Sequence, residues 1–157
     1  MNWRETDTMT GFTVPDQQAV GGKQGLGVSL VALDVAVHAP IDMLDIWRTR
    51  VLGALDEVRA ALARHVEFTE GPEGLFAEVI DYAPRLVHAV KNLYSDHEEL
   101  GRRINTCEEK VREIAIGDSI EDLESRTVGL AERFDRHRHR GAELVYDAYN
   151  IEISEAD

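Results

Sequence analysis

Two of the six histidines in this 157-residue chain stand in a symmetrical relation to one glycine. His97 lies twenty residues before Gly117 and His137 lies twenty after it. If two helices fold back at Gly117, each imidazole stands about 30 Å along its helix from the turn, and the pair shares one interior layer. Inward imidazoles on separate helices can ligate a transition metal, exchange a proton, or simply hydrogen-bond within a core. His65 and Glu70 join them if the segment before Pro84 pairs with the helix after it through a turn near Ala83. The leading metal set is therefore His65, Glu70, His97 and His137.

A second choice for the last helix is His139 with Glu143, an i, i+4 pair of the kind that ligates from one helix face. Relative to Leu130 on the apolar stripe, however, His139 is rotated by roughly 180° and Glu143 by roughly 140°, whereas His137 is rotated by roughly 20°. The stripe favours His137, and the spacing favours His139. His88 falls on an outer face and His38 stands beside Pro40, so both read as ordinary. Arg133, Arg136, Arg138 and Arg140 make the surroundings of His137 locally basic. With Glu132, Asp135, Glu143 and Asp147 on the same helix, they read as a salt-laced face.

The elements that must position these groups are helices. Residues 1–27 are rich in Thr, Gln and Gly and read as a tail, and the β-branched run 28–38 reads as an extended segment. From Ile41 apolar residues recur at three- and four-residue steps through Leu44, Val51, Leu55, Val58 and Leu62 to about Thr69, where Gly71-Pro72 breaks the pattern. A short helix carries Leu75, Phe76, Val79 and Ile80. Pro84 opens a longer one with the stripe Leu86, Val90, Leu93, His97, Leu100, Ile104, Val111 and Ile114. After Gly117 and an N-cap at Asp118-Ser119, the last helix presents Leu123, Leu130, Phe134, His137, Gly141, Leu144, Ala148 and Ile151. The expected organisation is a tail and extended segment over 1–39, an all-α, antiparallel up-down bundle of four helices over 40–153, and an acidic end over 154–157.

The totals narrow the function. A net charge of -13 disfavours nucleic acid, whose phosphates require a basic surface, and equally an anionic membrane. No apolar run approaches the ~20 residues that cross a bilayer, and the opening residues lack a secretory pattern, so a cytoplasmic protein is expected. The single cysteine, Cys107, has no intrachain partner and reads as an inert thiol. Phosphate-cradling and dinucleotide-binding glycine loops, paired-cysteine motifs and the serine-hydrolase elbow do not occur.

Against this background the chain resembles the hemerythrin-like (HHE) proteins, in the short, ligand-depleted form found in actinobacteria. The resemblance lies in Leu62-Ala63-Arg64-His65 running to Thr69-Glu70 and Gly74-Leu75-Phe76, and in Pro84-Arg85-Leu86 leading to Leu93-Tyr94-Ser95-Asp96-His97-Glu98-Glu99-Leu100. It continues in His137-Arg138-His139-Arg140-Gly141-Ala142-Glu143-Leu144 before Tyr146-Asp147-Ala148-Tyr149, and so covers roughly residues 40–153. It implies a four-helix bundle holding a non-haem centre, usually di-iron, that binds O2, NO or peroxide. His65, His97 and one of His137 or His139 match the family's ligand histidines. Thr69 stands where the family has Glu, and Leu93 where a further His often precedes His97. The resemblance thus implies an incomplete set that binds one metal or none, with iron the first choice of cofactor and zinc the alternative.

Two other classes of function fit the same residues. One is a metal-free bundle serving as an interaction module or homodimer, with His139, Arg140, Glu143 and Tyr146 on a partner surface. The other is an enzyme using His97 and His137 as an acid-base pair, which ranks last for want of an orienting carboxylate or a nucleophile.

Overall fold

The computed structural model describes residues 25–150, and these are all-helical. Helix α1 spans Leu26–His38, α2 Leu44–Glu70, α3 Leu75–Tyr82, α4 Val87–Glu113 and α5 Glu121–Asn150, with a 3-10 turn at Pro84–Leu86 leading into α4. Of the tail expected over residues 1–27, residues 1–24 lie outside the described residues, as does the acidic end, and Leu26 and Gly27 already belong to α1. No described helix is long and apolar enough to cross a membrane.

Each long helix forms where the sequence repeats apolar residues at helical spacing. The buried row of α2 is Trp47, Val51, Leu55, Val58, Ala61, Leu62 and Thr69. In α4 the row reads Val90, Leu93, Asp96, His97, Leu100, Ile104, Cys107 and Val111. In α5 it reads Leu123, Thr127, Leu130, Phe134, His137, Leu144 and Ala148. His97 and His137 are therefore members of core rows, flanked a turn away by leucine or phenylalanine. Cys107 is buried, and burial raises its thiol to about 11, which keeps it protonated at neutral pH.

Cross-helix contacts fix the register. Arg48 donates to the Ile114 carbonyl at 2.6 Å, and Arg59 meets Asn105 at 2.9 Å and Glu108 at 2.7 Å, so rising numbers in α2 face falling numbers in α4. Between α4 and α5 the same holds, from Lys110 with Asp122 at 3.5 Å to His97 with His137 at 3.0 Å. Gly117 makes the turn between these two helices at a φ of +87°, a left-handed conformation that suits glycine. At the other break, a Cβ on Gly74 would stand 2.7 Å from the Thr69 carbonyl oxygen, so the chain can close there only with glycine.

One expectation is overturned. Residues 28–38 are not extended but belong to α1, which packs against α2 and α5. Leu26, Ser29, Leu30, Leu33 and Val37 form its buried row at three- and four-residue steps, and Trp47 donates to the Val37 carbonyl at 3.3 Å. Burial of that row overrides the strand preference of Val28, Val31 and Val35, which face outward.

Two apolar clusters divide the interior. The larger joins α1, α2, α4 and α5, and the smaller joins α3 to the start of α4 and the end of α5. His97 lies between Leu93 of the smaller cluster and Leu100 of the larger. Replacing Leu33, which is 1% exposed, by Ala is expected to lower the unfolding free energy by about 2–5 kcal/mol in urea titrations. Val31→Ala on the opposite face is expected to stay within about 0.5 kcal/mol of the parent protein. Equal effects of the two substitutions would contradict the placement of this helix.

Candidate metal centre

Three helices bring three imidazole nitrogens together. His65 comes from the last two turns of α2, His97 from the middle of α4 and His137 from the middle of α5. The Nε2 of His137 stands 3.0 Å from the Nε2 of His97 and 3.1 Å from the Nε2 of His65. All three ligand nitrogens lie within 4.8 Å of one another, and the rings meet edge to face rather than stacked. His97 and His137 are buried and His65 is half-buried. On the far side of His97, Phe76 of α3 stacks at a centroid distance of 5.8 Å and an interplanar angle of 12°.

The outward nitrogens of two of these rings are committed to carboxylates. His97 Nδ1 donates to Glu70 Oε1 at 2.5 Å, and His137 Nδ1 donates to Asp96 Oδ2 at 3.3 Å. An ionised carboxylate only accepts, so with both carboxylates ionised and both rings neutral each Nδ1 carries its ring's one hydrogen, and each Nε2 presents a lone pair. Two lone pairs then face each other across 3.0 Å. Even if His65 turns its own hydrogen toward His137, the His97 nitrogen still faces an occupied acceptor. A cation resolves this arrangement, either a proton or a metal ion.

At His65 and His137 the surroundings oppose the proton. Burial pushes His65 down to about 4 from its ordinary 6.5, with the neighbouring His97 and His137 as further causes. Burial also lowers His137, as does His97, against the raising pull of Asp96. The spacing suits a metal: bonds of about 2.0–2.1 Å to nitrogen place cis ligands roughly 3.0–3.4 Å apart, depending on the angle. The carboxylate behind each of two imidazoles is the usual outer partner of a metal-bound histidine, holding its tautomer and orientation.

His65, His97 and His137 thus come together as the spacing suggested. Glu70 does not join the three nitrogens; it ends α2 a turn beyond His65 and meets the Nδ1 of His97, the nitrogen that faces away from the cluster. The alternative pair is turned away: His139 and Glu143 are exposed, and His139 Nδ1 meets the Asp135 carbonyl of its own helix at 3.1 Å. Two residues on from His137, a helical side chain points nearly the opposite way, so the stripe decides against the i, i+4 spacing. Thr69 is buried, and its hydroxyl donates to the His65 carbonyl at 2.9 Å. His88 is exposed, and His38 pairs at the surface with Asp34 at 3.2 Å and Glu124 at 3.4 Å.

Beside the cluster lie Asp96, which the sequence reading did not single out as a site residue, and Arg140, which it placed in the arginine run and on a partner surface. Asp96 is three residues after Leu93 and four before Leu100, which places it on the buried stripe, where a carboxylate is costly unless paired. Arg140 is three residues after His137 and bends inward, so that Nη1 donates to Asp96 Oδ1 at 3.0 Å and Oδ2 at 3.1 Å. Its side chain stays half exposed while tied to a buried carboxylate, so the arginine run is only partly a salt-laced face. Compared with known protein families, curated proteins and solved structures, the chain matches none.

A histidine that is harder to protonate folded than unfolded gives the native state fewer bound protons. The metal-free protein is therefore expected to lose stability as pH falls through the interval from 6.5 to about 4, and to keep it above that interval. Urea midpoints measured across this range check the expectation, with His65→Gln flattening part of the slope. A slope unchanged by that substitution would show that His65 does not titrate as its burial requires.

Proposed function

We propose that this chain is a metal-binding helical bundle of hemerythrin-like design, antiparallel and up-down, holding one first-row transition metal ion. The Nε2 atoms of His65, His97 and His137 are its ligands, with Glu70 and Asp96 as outer partners. One observation carries this reading: the facing Nε2 atoms of His97 and His137, each on a ring whose other nitrogen is held by a carboxylate. Imidazole donors suit iron, zinc, copper or nickel, and three neutral histidines with open positions suit iron or zinc best among the expected cofactors. The donor set supports one ion rather than the two of a di-iron site, because both nearby carboxylates are occupied by histidine Nδ1 hydrogens.

An ion bound here supplies Lewis acidity and, in the case of iron, an accessible redox couple. The protein's own residues do the rest. Glu70 and Asp96 hold two rings in one tautomer, and Phe76 covers the outer face of His97. A small apolar cavity, with room for about one water-sized molecule, is lined by Leu62, Leu100 and Phe134, each one turn from a ligand histidine. Such a lining accepts a small uncharged molecule more readily than an anion. Of the ligands that the resemblance implies, O2, NO or peroxide, this lining favours the uncharged diatomics.

A second reading has one observation in its favour. The outer face of α1 exposes Val28, Val31 and Val35 in a row, which suits a metal-free bundle that works by binding a partner or a second copy. Elemental analysis of protein purified without chelator separates the two. The metal reading expects close to one transition metal ion per chain, falling to traces in His97→Ala. Trace metal in the parent protein, together with an obligate dimer in light scattering, would favour the second reading instead.

A further inference from the structure

The two carboxylates behind the cluster differ in their company. The side chain of Glu70 is 25% exposed and its ion pair is with His97. That of Asp96 is 5% exposed and gathers His137, Arg140 and Arg133, the last at 3.8 Å. Arg140 addresses both Asp96 oxygens, including Oδ2, the oxygen that accepts from His137. The guanidinium and the imidazole therefore compete for the same electron density.

We propose that Asp96 is a positioning residue of the metal centre and that Arg140 limits its strength, making His137 and His97 unequal donors. The inference rests on the metal reading above. Asp96 fixes which nitrogen of His137 carries hydrogen and where its ring points. An outer carboxylate also raises the basicity of the imidazole it accepts from, and a guanidinium on that carboxylate draws the charge back. Arg140 further places a fixed positive charge beside a site that must take up a dication, and Coulomb repulsion weakens that uptake. In the metal-free protein Arg140 offsets part of the charge of the buried Asp96. A side chain that only stabilised the fold would act in the other direction, since its removal would loosen the site and weaken binding.

The test uses Co(II), whose visible spectrum reports ligand geometry, in competition with a chelating dye. Asp96→Ala removes both acceptor and charge and is expected to lower Co(II) affinity by about 10–100-fold with a shifted visible band. Asp96→Asn keeps an acceptor oxygen and is expected to lose less. Arg140→Gln is expected to bind Co(II) severalfold more tightly than the parent protein. If Asp96→Ala fails to fold, the other two variants decide the matter. An Arg140→Gln protein that binds no more tightly than the parent, or an Asp96 variant with parental affinity and spectrum, overturns the proposal.

The positioning role also has a readout without metal. Nitrogen-15 correlation spectra of metal-free protein are expected to show His137 as a single Nδ1-protonated tautomer, lost in Asp96→Ala. Failure of the parent to bind Co(II) would bring down the metal reading and the role of Arg140 in it. The tautomer measurement would still decide what Asp96 does to His137, and a mixed tautomer in the parent protein overturns that role.

Discussion

Two neutral imidazoles facing each other through bare nitrogens would form an unfavourable pair, and the structure brings the Nε2 atoms of two buried rings to such a distance. His97 and His137 approach to 3.0 Å with their hydrogens turned outward to Glu70 and Asp96. Protonation would relieve the repulsion, but burial lowers His65 and His137 and so penalises the charged ring. The three gathered nitrogens could instead hold a cation that brings its own charge, which is the reading proposed above. The carboxylates carry weight in the design because each settles a tautomer that the ring alone would leave undecided.

The scaffold enforces this meeting through packing on both sides. Below the histidines, Leu62, Leu100, Leu130 and Phe134 tie α2, α4 and α5 into the larger core, which α1 completes with Leu26, Leu30, Leu33 and Val37. Above them, Phe76 and Val79 of α3 join Val90, Leu93 and Leu144. Because each imidazole sits a helical turn from leucine or phenylalanine in those layers, rotating a ring out of the cluster would also disturb close-packed neighbours. The break after Glu70 matters in the same way. It ends α2 with Glu70 behind His97, and it sends α3 back so that Phe76 covers that ring.

Much of this was legible in the residues. The equal spacing of His97 and His137 about Gly117, and their places in apolar rows, put both rings at one height facing inward. Between His137 and His139 the stripe and the i, i+4 spacing pointed different ways, and the structure sides with the stripe. Other features were hidden for physical reasons. Asp96 lies on the buried stripe, yet a lone aspartate in a core is costly unless paired, and its partner Arg140 is distant in sequence and belongs to a run that looks like a solvated face. The β-branched run of α1 carries a strand preference that only its burial against α2 and α5 reverses. The position of Glu70 depended on a kink at Gly71-Pro72 whose direction no local pattern determines.

The arrangement makes a centre of nitrogen donors, with carboxylates one step removed, and this distinguishes it from a carboxylate-bridged pair of metals. X-ray absorption at the edge of the metal found in the purified protein addresses that distinction directly. The account predicts three imidazole scatterers around a single ion, with nitrogen distances of about 2.0–2.2 Å and no metal neighbour. A shell with fewer than two imidazoles, a sulfur shell, or a second metal within about 4 Å would contradict it.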